Sequence, residues 1–259
     1  MAIDYVLGVR CEPQQRLGVE RLVALNRTRI LARAALAQLG DGRAPRDVSI
    51  ELRTHGVGTS TDRGVTLQDL LDESAPLDAV TPACARCPAE LPRELACHRR
   101  IRYPIGEHVE AWLMERLPRS LGCTAGALLV RALGDFAWDG APAAKLRAAG
   151  DTFFASRVPY GMRWQSPDGA IELSSDQLFQ MMFMVGTIQP THALMLALFL
   201  GVIPHDIELR TLADRDARTG ALAAVEVPRE PDADVEQFAA FLRMLALGAR
   251  LEAPIFIDA

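Results

Sequence analysis

The spacing of the cysteines limits the fold of this chain more than any other feature of its sequence. Cys84 and Cys87 are separated by two residues, and nine residues separate Cys87 from Cys97. A two-residue gap lets a tight turn direct two thiolates at one tetrahedral centre, and this spacing recurs at zinc and iron–sulfur sites. The sequence therefore predicts a metal site in a proline-bearing loop near the middle of the chain. Zinc is the favoured ion, and an iron–sulfur cluster is the alternative.

The spacing does not determine the fourth ligand of the predicted site, and three residues are candidates. Cys11 is the first choice because it follows a predicted strand, at the point where the chain leaves the sheet. His98 is the second choice, since adjacent residues rarely both reach one ion, and Cys123 is the third. The predicted metal ligands are therefore Cys11, Cys84, Cys87 and Cys97.

The function predicted from this loop depends on whether the metal site is closed. Four protein ligands make a structural site, whereas three ligands with an exchangeable water make a catalytic one. The closed site leads to the first hypothesis, a non-enzymatic regulatory or adaptor protein that presents a metal-pinned surface to a protein partner. The alternative is an enzyme that uses the same cysteines for metal-dependent, iron–sulfur or thiol redox chemistry. The sequence leaves open whether the protein is an enzyme.

The number of cysteines and the first residues indicate a cytoplasmic protein. The chain has five cysteines, which is an odd number, and Asp4 lies where a signal peptide would carry basic residues. A disulfide framework is therefore not expected. The most apolar stretch, residues 178–204, is interrupted by glutamine, proline, threonine and histidine, so the segments between these residues are too short to cross a bilayer.

The charge balance argues against nucleic-acid binding and against binding to anionic membranes. The chain has 28 Lys and Arg residues and 33 Asp and Glu residues, which gives a formal net charge of -5. A protein with this balance has no overall basic field to attract phosphate groups.

A group of methionines and phenylalanines between residues 179 and 199 gives the one hint of a protein partner outside the cysteine loop. At helical spacing such a group is typical of a hydrophobic core. Methionine-rich surfaces also bind partner helices, so the sequence leaves both interpretations open.

Length and hydrophobic pattern predict a single α+β domain over residues 1–259. The chain has 259 residues, of which 49% are hydrophobic, and this is enough to bury a core without cross-links. The pattern predicts a small mixed or antiparallel sheet, several packed helices and the cysteine-bearing central loop. An alternative organisation places a domain boundary near residue 150.

Local patterns predict the bounds of several elements. Residues 3–10 are rich in β-branched and aromatic side chains and are predicted as a strand. Residues 13–39 are predicted as one helix. Further strands are predicted at residues 223–227 and, as an edge strand, at residues 254–258.

Turn and capping signals add two hairpins and two helix starts. The spacings Thr66-x-x-Asp69 and Ser174-x-x-Gln177 are those of capping boxes. The turn signals that predict β-hairpins lie at residues 56–64 and 166–169.

His108 and Glu110 form a His-x-Glu motif, which zinc deaminases of nucleobases combine with Pro-Cys-x-x-Cys. In that family the His-x-Glu precedes the cysteines, whereas here it follows them, and Pro82 is one residue too far from Cys84. We therefore interpret His108 and Glu110 as exposed residues of a helix whose buried stripe includes Trp112.

Overall fold

The computed structural model describes residues 2–39, 43–56, 59–150, 152–166, 169–222 and 224–258. These residues form two compact units. Unit 1 consists of residues 9–98, and unit 2 combines residues 2–8 with residues 99–258. The predicted α+β class is confirmed. That both units belong to one domain, or that a boundary lies near residue 150, stays a prediction.

The described residues form strands and α-helices that alternate irregularly along the chain. In chain order the elements are β1 (Ala2–Leu7), α1 (Glu12–Leu17), α2 (Val19–Gln38), β2 (Ser49–Gly56), β3 (Thr59–Thr66), α3 (Leu67–Ser74), β4 (His98–Arg102) and α4 (Glu107–Glu115). They continue with α5 (Thr124–Phe136), α6 (Ala141–Ala148), β5 (Gly161–Ser166), β6 (Gly169–Ser174), α7 (Ser175–Phe183), β7 (Thr187–Ile188), α8 (Pro190–Phe199), α9 (Leu209–Ala213), α10 (Arg215–Gly220), α11 (Ala233–Leu251) and β8 (Ile255–Asp258). Short 3-10 helices cover Pro45–Asp47, Ala75–Leu77 and Thr81–Arg86.

Gly18 divides the single helix predicted over residues 13–39 into α1 and α2. Its φ of 75° lies in the left-handed region, which glycine adopts without the steric cost of a Cβ. Helix α1 therefore ends at Leu17, and α2 starts at Val19. The sequence also places a glycine, Gly40, directly after residues 13–39 as a signal for the end of the helix, and this residue lies outside the described residues.

In unit 1, the β2–β3 hairpin leads directly into α3. The two strands are antiparallel, with Ser49 opposite Thr66. The predicted capping box at the start of α3 is confirmed: the Asp69 backbone N–H donates to Thr66 Oγ1 over 3.1 Å, and the Thr66 backbone N–H donates to Asp69 Oδ2 over 2.8 Å. These bonds satisfy backbone donors that a helix start leaves without partners. Residues 57 and 58 of the predicted turn lie outside the described residues.

Two apolar clusters stabilise unit 1. One joins α2 to the segment before β4, and the other joins α2 to β3 and α3. The buried members of the first cluster are Leu22, Leu25, Leu77, Val80 and Leu95. The buried members of the second are Ala32, Val65, Leu67 and Leu70.

Unit 2 is built on a four-stranded sheet in the order β4-β1-β8-β7. Strand β8 is antiparallel to both of its neighbours: Ile257 lies opposite Tyr5, and Ile255 lies opposite Ile188. The prediction of an edge strand at residues 254–258 is therefore wrong. Strand β7, which pairs with β8 on the side away from β1, consists of only Thr187–Ile188. A segment this short has no recognisable strand pattern in the sequence.

Helices α7, α8 and α11 supply a large part of the core of unit 2. On α11, Phe238, Leu242 and Leu245 recur at helical spacing and are at most 1% exposed. The Met and Phe group also lies in this core, because Met181 and Met182 are completely buried. The core interpretation of this group is therefore favoured, while its other methionines, Met184 and Met195, are half-buried.

The segment between α8 and α11 contains two short helices, α9 and α10, where the sequence predicts irregular structure. Asp214 caps α10, since its Oδ1 accepts from the Ala217 backbone N–H over 2.8 Å. The strand predicted at residues 223–227 is wrong for residues 224–227, which are irregular. Ala223 lies outside the described residues.

Candidate functional site

The structure places all four predicted metal ligands in unit 1. Cys11 caps α1, Cys84 lies in the 3-10 helix Thr81–Arg86, Cys87 follows that helix, and Cys97 precedes β4. None of the five cysteines of the chain forms a disulfide. Electrostatic interactions join Cys97 to the other three thiols, so the fold brings the four residues into the same region of unit 1.

The two buried thiols of this region are held in the protonated form. Cys97 is 4% exposed, and burial raises its pKa to about 12. Its Sγ accepts a hydrogen bond from Gln14 Nε2 over 3.7 Å. Burial also raises the pKa of Cys11.

The predicted metal site is not confirmed. Among the residues that the structure describes, no three His, Cys, Asp or Glu side chains form a group that could hold a metal ion. The predictions of zinc and of an iron–sulfur cluster at Cys11, Cys84, Cys87 and Cys97 are therefore wrong. The hypotheses built on this site, a metal-pinned regulatory or adaptor protein and a metal or thiol redox enzyme, are wrong for the same reason. Cys84 instead packs against the leucine cluster of unit 1, as a small apolar side chain does.

The two other candidates for the fourth ligand also have structural roles. His98 is buried, and its Nδ1 is 2.7 Å from Asn26 Nδ2, a buried amide on α2. Cys123, rather than the adjacent threonine, caps α5: its Sγ accepts from the Gly126 backbone N–H over 3.4 Å. Both side chains therefore hold local structure in place.

A buried ionic cluster in unit 2 is the feature that sequence reasoning missed most clearly. Arg147 on α6 binds Glu110 on α4 through two hydrogen bonds, of 3.0 Å and 2.6 Å. It also donates to Asp176 on α7 over 2.9 Å and 2.8 Å. Ser175 donates to Glu110 Oε2 over 2.5 Å. Glu110 is completely buried, so the prediction that it is exposed is wrong.

This cluster is saturated by its own hydrogen bonds. Burial alone would lower the pKa of Arg147, but hydrogen bonds to Glu110 and Asp176 outweigh it and raise the pKa. The Ser156 carbonyl accepts a further bond from the guanidinium, and the Phe154 ring lies 4.1 Å from it. An internally satisfied charge group of this kind connects α4, α6 and α7 and is not open to a ligand.

Unit 2 also carries an open groove, which is the candidate functional site. It has a volume of about 620 Å³, within the range of ligand-binding pockets. One wall is the end of α4 with the residues just after it, and the others are β5 and the segment before α11. The side chains that define it are Trp112, Arg116, Arg119, Met162, Val227 and Pro228.

Arg116 holds two walls of this groove in place. Its guanidinium lies 5.0 Å from the Trp112 ring centre, a distance typical of cation–π contacts. Its Nη1 donates to the Glu226 carbonyl over 3.0 Å, and its Nε donates to the Leu200 carbonyl over 2.9 Å. Burial lowers the pKa of Arg116. Arg116 thus positions the Trp112 indole and the segment at residue 226, and these contacts already occupy its guanidinium.

The other charged groups of the groove are available to a ligand. Arg119 is exposed, and no acidic group in the described part of the chain forms an ion pair with it. Glu115 and Glu226 are exposed at the rim. Apolar contact surface comes from the half-buried Trp112 and from Val227, which is 37% exposed. The groove therefore combines an apolar floor with charges of both signs.

The groove residues were not predicted because they are distant in sequence. The helical pattern assigned Trp112 to a buried stripe, whereas the side chain is only half-buried. Met162 and Pro228 reach the same surface from a hairpin and from an irregular segment. No motif links these positions, so the sequence carries no local signal for the site.

Comparisons with known proteins add no functional assignment: no family model, no curated protein and no solved structure matches this chain. None of the helices in the part of the chain that the structure describes has the length and apolar character needed to cross a membrane.

Proposed function

We propose that this protein binds an extended segment of another polypeptide in the groove of unit 2. The observation that carries the proposal is the exposed Arg119, which has no ion pair among the described residues and lies beside the apolar surface of Trp112, Met162 and Val227. Tryptophan and arginine are the residues most often responsible for binding energy at protein interfaces.

The chemistry of the groove specifies the segment it would hold. A small molecule needs a few convergent polar groups inside an enclosed site, whereas this groove is open and its charges stand apart at the rim. An apolar side chain would pack on Trp112 and Met162. An acidic side chain would bind Arg119, and a basic one would bind Glu115 or Glu226. An extended peptide with an apolar residue between opposite charges satisfies all these contacts.

The protein is proposed to act in the cytoplasm. All five cysteines have free thiols, two of them buried, and such thiols are typical of a reducing compartment.

Peptide selection tests the proposed function. Short random peptides displayed on phage are selected against the full chain, and enriched peptides are synthesised for fluorescence anisotropy. Trp112→Ala is expected to weaken binding about tenfold or more, because it removes the apolar centre of the groove. Arg119→Glu is expected to weaken it by a similar factor, and replacing the acidic residue of the peptide by lysine restores binding to this variant.

Arg250→Glu is the matched control, because Arg250 is an exposed arginine of unit 2 outside the groove. It should leave the dissociation constant unchanged. The proposal fails if no peptide is enriched, or if the enriched peptides bind Trp112→Ala and Arg119→Glu as tightly as the unmodified protein. A melting curve of each variant confirms that it is folded.

A further inference from the structure

Helix α2 of unit 1 exposes an apolar face to solvent. Ile30 is 41% exposed and Leu31 is 43% exposed, although both are large hydrophobic residues on a helix whose opposite face is buried. Ala34 and Ala37 are exposed as well and follow Ile30 at four and seven residues. Residues at these spacings lie on one side of a helix. We define this surface, Ile30, Leu31, Ala34 and Ala37, as the α2 face.

The charges next to the α2 face are basic. Helix α2 has an exposed Glu20 in its first turn, but between residues 21 and 38 it contains no Asp or Glu, although the whole chain has a net charge of -5. Arg33 is exposed beside the face, whereas Arg29 lies on the opposite side, where it is buried and paired with Asp78. Positive charge beside the apolar stripe, from the exposed Arg33, is thus a local property of this helix and is contrary to the overall charge.

We propose that the α2 face binds an amphipathic helix of a partner protein whose polar border is acidic. The spacing of the apolar residues matches the ridges of a facing helix, and the two alanines allow close approach of the two backbones. The basic border supplies the charge complementarity that orients such a partner. This surface lies on unit 1, so the inference is independent of the groove in unit 2.

The same observations argue against a second copy of this chain as the occupant. In a symmetric pair each copy presents the same surface, so the basic borders would face each other without an acidic counterpart. Like charges in this arrangement oppose association.

A synthetic helical peptide tests this inference. The probe has leucines at every third and fourth position with glutamates on both sides, and a control peptide has lysines instead of the glutamates. Calorimetric titration of the full chain is expected to show binding of the glutamate peptide that weakens as salt is raised. Leu31→Asp is expected to reduce affinity at least tenfold. Arg33→Glu is expected to reduce it about fivefold and to improve binding of the lysine peptide.

Arg93→Glu serves as the control, because Arg93 is exposed in unit 1 but does not belong to α2. The inference is overturned if the glutamate peptide does not bind, or if Leu31→Asp and Arg33→Glu bind it as well as Arg93→Glu does. Binding to phosphatidylglycerol vesicles without binding to the peptide would also overturn it. So would a concentration-dependent dimer, seen by sedimentation without peptide, that Leu31→Asp abolishes.

Discussion

Arg147 shows how a single side chain can hold several helices. Arg147 is 4% exposed. Its guanidinium neutralises the buried carboxylates of Glu110 and Asp176, which would otherwise be uncompensated charges. Moving an unpaired carboxylate out of water is costly, so each member of the cluster is stable only because the others are present.

We expect Arg147→Met to lower the free energy of unfolding by about 3 to 5 kcal/mol, because it leaves Glu110 and Asp176 buried without a cation. The control is Arg131→Met, which removes an exposed pair with Asp135 and is expected to cost less than about 1 kcal/mol. Urea unfolding of both variants measures the difference. Equal losses for the two substitutions would contradict the structural role assigned to the cluster.

At this scale, the sequence predicted the residues whose partners are near in the chain. Thr66 and Asp69 are three residues apart, and their reciprocal bonds follow from the capping-box spacing. Glu110 and Arg147 are 37 residues apart, so the helical pattern around Glu110 contained no information about the cation that allows its burial.

The cysteines illustrate a different limit, because the fold brings them together without making a ligand group. A C-x-x-C spacing permits two thiolates to converge, but it does not require them to. Here Cys97 binds Gln14 and Cys84 packs among leucines, so the same residue types serve as core.

Strand β8 shows the same difference between local and long-range information for a whole element. The sequence predicts the strand itself, because residues 255–257 are apolar or aromatic. Its position inside the sheet depends on β1, which is separated from it by almost the whole chain, and on the two-residue strand β7. Local patterns specify elements, whereas long-range pairing specifies their order.

Two isoleucines of β8 test its central position. Ile255 is completely buried, whereas Ile257 on the same strand is half-buried. Ile255→Ala is expected to lower the free energy of unfolding by about 2 to 5 kcal/mol, as is usual for fully buried sites. Ile257→Ala removes the same atoms from a less buried site and is expected to cost less. The central position is contradicted if the Ile257 variant is the less stable of the two in urea titrations.

The stability of the molecule as a whole is expected to depend on pH through His192. The imidazole on α8 stacks on Trp138, with ring centres 5.6 Å apart, and burial lowers its pKa to about 4. Its Nε2 has no hydrogen-bond partner among the described residues. In the unfolded chain the same group titrates near its ordinary value of 6.5.

Between these two values the unfolded chain binds a proton that the folded protein does not. Stability is therefore expected to fall as the pH decreases from about 6.5 towards 4, by up to about 3 kcal/mol from this residue. His192→Phe keeps the stacked ring and removes the titration, so its unfolding free energy should decrease less over the same range. Urea titrations at several pH values measure both profiles, and parallel profiles would contradict the assignment.

The pairing of β1 with β8 affects how the protein can be made. Among the described elements, translation produces β1 first and its neighbour β8 last, with residues 8–254 in between. Residue 258 must therefore leave the ribosome before β8 can pair with β1. Until then, β1 of every nascent chain lacks its neighbour β8. A strand with an exposed edge promotes aggregation during synthesis.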